Sequence, residues 1–170
     1  MTTYVALLRA VNVGGTGKLP MTELRSVCAA AGFTNVRTYI ASGNVVFDST
    51  LAKRAVQQAL ESRLEAYAGK AVGVLIRTGK EIAAVLQANP FSNEAANRTV
   101  AIFLDDAPPA DTLEHITGRR NEQVALGKHE IYVHYGDGMA KTKLRIPAAK
   151  NGTARNINTI AKLAQWAAQS

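Results

Sequence analysis

A single cysteine, Cys28, stands in 170 residues, so no internal disulfide can staple the chain, and a reducing, cytoplasmic setting is the simpler expectation. No stretch approaches the roughly 20 uninterrupted apolar residues that a membrane-spanning helix needs. The opening Met1 to Tyr4 shows no basic region followed by an apolar run, so neither a membrane partner nor an export leader is expected. Aromatic residues make up only 6% of the chain, too few to suggest an array of base-stacking rings. Acidic residues are scarce toward the end. Residues 137–170 carry Lys141, Lys143, Arg145, Lys150, Arg155 and Lys162 against Asp137 alone, whereas residues 1–136 hold 14 basic and 12 acidic side chains. Most of the formal charge of +7 therefore sits in the last fifth of the chain. Such a field favours phosphate-bearing partners, and equally describes a plain soluble face.

What is present is a core. With 47% hydrophobic residues the chain can build one domain or two small halves. Tyr4 to Val11 is an apolar run interrupted only by Arg9, the pattern of a strand covered on both faces with Arg9 near its exit. Asn12 to Lys18 follows with three glycines, and Pro20 opens a helix through Leu24, Val27, Cys28 and Ala31 that stops at Gly32. Val36–Ile40 and Val45–Phe47 flank the tight turn Ala41-Ser42-Gly43-Asn44. Ala55, Val56, Ala59, Leu60 and Leu64 give Leu51–Ala68 a helical stripe that Gly69 ends, and Val72–Ile76 adds a strand. Residues 1–78 thus read β-α-β-β-α-β, the split ferredoxin-like order.

Residues 79–170 form a second α/β half. A helix over Glu81–Gln87 ends at Asn89-Pro90, a strand covers Val100–Leu104, and a weak helix covers Thr112–Thr117. Gln123–Leu126 and Ile131–Tyr135 make a hairpin, and a last helix runs from about Asn156 to Ala168 behind a loop from Gly152. The expected fold is α+β, with two ferredoxin-like subdomains packed into one compact unit.

Glycine-rich Asn12 to Lys18 could cradle an anion on backbone amides. It is not a phosphate loop, because Asn12 stands where the first glycine belongs and Leu19 where Ser or Thr should follow Lys18. Pro20 likewise breaks a dinucleotide fingerprint. No metal spacing joins His129, His134 and Asp137, no cofactor motif is present, and Cys28 and Ser42 lack a local base, so any enzymatic role stays open. The remaining candidates are ligand donors: Arg9, Asn12, Gly14, Gly15, Lys18, Ser42 and Asn44 in the first half, and Lys141, Lys143, Arg155, Asn156 and Asn158 in the second. Thr153 or Asn156 could instead cap the last helix. Lys141 and Lys143 would share a side if their segment is extended.

Several motifs resemble a bacterial family in order along nearly the whole chain. They are Leu8-Arg9-Ala10-Val11-Asn12-Val13-Gly14-Gly15, Lys18-Leu19-Pro20-Met21 with Leu24-Arg25, and Gly32-Phe33-Thr34-Asn35-Val36. Tyr39-Ile40-Ala41-Ser42-Gly43-Asn44-Val45-Val46-Phe47, Asn89-Pro90-Phe91 and Gly152-Thr153-Ala154-Arg155-Asn156 continue the series. The chain is identified by them as similar to domain of unknown function 1697, DUF1697. The resemblance implies two ferredoxin-like subdomains and supplies no activity, substrate or catalytic residue. Where the family commonly has Trp between two Asn residues, this chain has Ile157, which matters to a ligand if that Trp stacks on one and to volume if it packs in the core.

Three functions from different classes are open. The first is a small phosphate-bearing, nucleotide-like ligand held in a cleft between subdomains by the candidates named. Nucleic-acid binding by the basic C-terminal region is the second. The third is a protein-interaction module or homodimer formed through an edge strand.

Overall fold

The computed structural model describes residues 1–9, 19–39, 43–136 and 138–169. Its elements are β1 (Thr2–Leu8), α1 (Met21–Ala30), β2 (Thr34–Tyr39), β3 (Asn44–Ser49), α2 (Lys53–Ala68), β4 (Val74–Thr78), α3 (Gly79–Gln87), β5 (Thr99–Phe103), β6 (Glu122–Leu126), β7 (Glu130–Tyr135), β8 (Thr153–Asn156) and α4 (Ile157–Ala168). The strands make two four-stranded antiparallel sheets, ordered β2-β3-β1-β4 and β6-β7-β5-β8. The chain divides into two units, Met1–Ile82 with Lys162–Ser170, and Ala83–Ala161. This is a mixed α/β fold. Among the described residues no helix is long and apolar enough to cross a membrane.

In the first unit every residue of β1 from Tyr4 to Leu8 is buried, as the apolar run requires of a central strand. Tyr4, Ala6 and Leu8 pack with Leu24 and Cys28 of α1 and with Val56, Leu60 and Leu64 of α2, each helix contributing residues four apart. The glycine after α2, Gly69, takes the left-handed angle φ 73° and its N–H donates to Glu65 O, closing the helix. Edge strand β2 carries a bulge between Thr34 and Arg37, with Asn35 at φ 53°. Asn35 Nδ2 donates to Asp48 Oδ2 at 2.8 Å, which fixes the bulge. A bulged edge resists pairing with another chain. Arg37 also donates through Nη2 to the Trp166 carbonyl at 2.7 Å and lies 5.3 Å from that ring, joining the Gln169 N–H on a carbonyl near the end of α4.

Helix α3 starts at Gly79, two residues before the Glu81 expected from sequence, and its start is set by a capping box. Thr78 Oγ1 accepts the Glu81 N–H at 3.1 Å, and Glu81 Oε1 accepts the Thr78 N–H at 2.8 Å. Lys53 pairs with the same carboxylate. Burial pushes the Glu81 carboxyl up, but these hydrogen bonds and the Lys53 charge outweigh it and leave it below the usual range.

In the second unit β5 is buried along its whole length. Val100 and Ile102, with Leu104, Ile131 and Val133, face Leu144, Ile146, Ala148 and Ala149 from the segment before β8. The Tyr132 hydroxyl donates to Val85 O of α3 at 2.7 Å. Two expectations change here. The weak helix over Thr112–Thr117 is a 3-10 turn, Thr112–His115. The loop expected before the last helix contains β8, an edge strand whose buried positions are Thr153 and Arg155 rather than apolar residues. The turn residues Ala41 and Ser42 lie outside the described residues.

Thr78→Ala should remove the cap and lower stability by about 1 kcal/mol, measured by urea unfolding. Thr78→Ser should restore most of it, since the hydroxyl is what accepts the amide.

Candidate functional site

The first-half candidates that can be located lie at one end of their sheet. Arg9 follows β1; its N–H donates to Gly73 O at 2.8 Å, while the preceding Leu8 N–H donates to Gly43 O at 2.9 Å. Asn44 is fully buried, sits opposite Leu7 and Tyr39, and donates from Nδ2 to Tyr39 O at 3.0 Å. Asn44 therefore braces the β2–β3 hairpin. Asn12, Gly14, Gly15, Lys18 and Ser42 lie outside the described residues, as does Asp137.

The second-half candidates separate into two kinds. Arg155 is 7% exposed, and its Nη1 donates to Thr153 Oγ1 at 2.8 Å and Ala154 O at 2.9 Å. Burial lowers its pKa to about 10, which leaves it charged at neutral pH. Asn156 Oδ1 accepts the Thr159 N–H at 2.8 Å and caps α4. Asn158 is exposed in the first turn of that helix. Arg155 and Asn156 are thus engaged with their own strand and helix. Lys141 and Lys143 are exposed and belong to a different arrangement.

Residues 141–146 alternate. Lys141, Lys143 and Arg145 are exposed, while Thr142, Leu144 and Ile146 are half-buried. Leu144 and Ile146 lie on the core of the second sheet, so the segment is a strap with an apolar underside and a cationic top. Three contacts fix it. Arg145 and Thr117 exchange backbone hydrogen bonds at 2.8 and 3.1 Å. Gly118, at φ 70°, passes so close beneath Lys143 that a Cβ there would lie 1.9 Å from the Lys143 carbonyl oxygen. Glu122, 5% exposed at the start of β6, makes the third contact: its Oε2 accepts the Thr142 hydroxyl and its Oε1 accepts the Arg120 N–H at 2.6 Å.

The consequence is that Arg119 and Arg120, both exposed, are carried beside the strap. The sequence reading missed them, because they fall in a stretch of nearly balanced charge. Their only signal was the Arg119-Arg120 doublet. The Thr142 hydroxyl and the Arg120 amide hold the Glu122 carboxyl below the usual carboxylate range. Burial and the Glu122 charge in turn push up the Tyr135 hydroxyl. Two other reactive groups lie inside the structure. Cys28 is fully buried, and burial pushes its thiol up to about 12. His134 is buried, with Nδ1 2.9 Å from Thr99 Oγ1, a hydroxyl that itself donates to Ala95 O.

A family model described as "Protein of unknown function (DUF1697)" matches residues 1–132. The chain belongs to the DUF1697 family. A solved structure, described as that of the conserved bacterial protein SP0830 from Streptococcus pneumoniae, is similar to this DUF1697 chain. It matches with a TM-score of 0.80 and 26% identity, over 98% of each chain. Among curated proteins there is no match. Arg119, Arg120 and Glu122 lie within the DUF1697 match and the strap beyond it. Ile157, where the family pattern suggested Trp, is 8% exposed, so in this DUF1697 protein the position belongs to the interior.

Two outcomes are expected. Gly118→Ala forces a left-handed angle on a residue with a Cβ, at about 1–2 kcal/mol before the collision with Lys143 is counted. Urea unfolding should show at least that loss. Because the folded Glu122 carboxyl titrates below its unfolded value, its contribution to stability is complete above about pH 4.3 and is lost as the pH falls through the lower folded value. Thermal unfolding below pH 4.5 should therefore fall more steeply for the wild type than for Glu122→Gln, and parallel curves would remove that contribution.

Proposed function

We propose that this protein binds nucleic acid through the phosphate backbone, on the face formed by Arg119, Arg120, Lys141, Lys143 and Arg145. The observation that carries the reading is the assembly of five exposed cations, from two separate chain segments, on one hydrogen-bonded support. Flexible cations on a fixed backbone suit phosphates, whose binding releases condensed counterions. Among the described residues the exposed large hydrophobic side chains include one aromatic, Tyr67, and it lies in the other unit. Without a stacking platform the face reads charge rather than base identity.

The repeated sheet order supports reading both units as ferredoxin-like subdomains, with 3-10 turns and a strap in place of crossover helices in the second. The single buried thiol is in keeping with a cytoplasmic protein.

A second reading has one observation in its favour. Arg9 and Asn44 share the end of the first sheet that leads into the glycine-rich residues, where a nucleotide-like phosphate could be held. It is the weaker reading, because Arg155 and Asn156, its proposed helpers, are engaged in local hydrogen bonds. A thermal shift by nucleotides that Arg9→Ala abolishes would favour it.

The leading reading is tested by fluorescence anisotropy with a 20-base-pair duplex and a 20-nucleotide single strand over a salt series. Five phosphate contacts set the slope of log K against log salt near about −4.5 for the duplex and about −3.5 for the single strand. Each alanine substitution among the five cations should reduce that slope by about one contact's share. A flat salt dependence, or a slope untouched by the substitutions, would sink the reading.

A further inference from the structure

A carboxylate built into the cationic face, Glu122, is turned to a structural purpose. Oε1 of Glu122 accepts the backbone N–H of Arg120, and Oε2 accepts the hydroxyl of Thr142. The two segments that bear the five cations therefore meet on a single side chain. Thr142 extends the link, since its Oγ1 also accepts the Leu144 N–H at 3.2 Å. Arg119 adds a further tie by donating from Nε to the Glu122 carbonyl at 2.8 Å. The Thr117–Arg145 bridge and the Gly118 contact hold one end of the strap. Glu122 holds the end that carries Lys141.

We propose that Glu122 is the positioning residue of this face, strengthening polyanion binding although its own charge opposes it. The inference rests on the nucleic-acid reading and deepens it. Charge alone and positioning predict opposite signs. If Glu122 acted only as a negative charge, both Glu122→Gln and Glu122→Ala would bind phosphates more tightly than the wild type. If it positions the segments, the two variants diverge. Glutamine can reproduce both bonds, its oxygen accepting from Arg120 and its amide donating to the Thr142 hydroxyl. Alanine can make neither.

The experiment is anisotropy with the same 20-base-pair duplex at moderate salt. Glu122→Gln should bind at least as tightly as the wild type, and Glu122→Ala should bind roughly threefold or more weakly in spite of its extra net positive charge. Thr142→Val, which changes no charge, should weaken binding in the same direction, and Thr142→Ser should restore it. This pair keeps the test decisive if Glu122→Ala fails to fold. Tighter binding by Glu122→Ala, or an unchanged affinity in Thr142→Val, overturns the positioning role while leaving the face itself intact. Absence of duplex binding by the wild-type protein overturns the nucleic-acid reading, and this inference falls with it.

Discussion

A strand buried on both faces leaves no route to water for its backbone, so every amide and carbonyl must find a partner within the sheet. Strands β1 and β5 meet this demand by lying between two antiparallel neighbours each. The same sheet order, second-third-first-fourth, makes consecutive strands skip a neighbour twice in each unit. Each unit therefore needs two crossovers. In the first unit these are α1 and α2, which satisfy their own backbone groups and bury Leu24, Cys28, Val56, Leu60 and Leu64. In the second, the described crossovers hold only short 3-10 turns and the strap. An extended crossover cannot satisfy its own backbone and must borrow partners. The Thr117–Arg145 bridge and the bonds to Glu122 are those borrowed partners. The candidate face is in this sense a by-product of building a crossover without a helix.

Where apolar period and structure agree, the sequence was legible. The run through Tyr4–Leu8, the stripes of α1 and α2, and the β6–β7 hairpin all show the spacing that burial demands. Strand β8 was hidden although its alternation is correct, because its inward positions are Thr153 and Arg155. A buried arginine stays in place only with acceptors at hand, and two of them, Thr153 Oγ1 and Ala154 O, lie in its own strand, which no hydropathy pattern reveals. The same polarity made Arg155 and Asn156 look like ligand donors. The bonds from Arg155 to Thr153 and Ala154 and from Thr159 to Asn156 span no more than three residues, too local to separate from a binding motif by composition. Lys141 and Lys143 were legible as exposed cations from the basic composition of the last fifth of the chain. Arg119 and Arg120 were not, since their place depends on the close approach of Gly118 to Lys143, a contact between distant parts of the chain.

The electrostatic balance of the face follows from what its carboxylate is asked to do. A buried carboxylate is costly unless its oxygens are hydrogen-bonded, and both oxygens of Glu122 accept hydrogen bonds. Those donors, an amide and a hydroxyl, carry no net charge, and the Arg120 charge adds to them in holding the Glu122 carboxyl low. Had an exposed lysine supplied that bond, the neighbouring phosphate site would have been neutralised by the group that shapes it. A neutral pair of donors avoids that trade. It fixes the backbone of the strap without drawing on the side chains of Lys141 and Lys143, and cations left to move adapt to phosphates in many arrangements. Order in the backbone with freedom in the side chains is the combination suited to a partner whose charge is regular and whose sequence is not read.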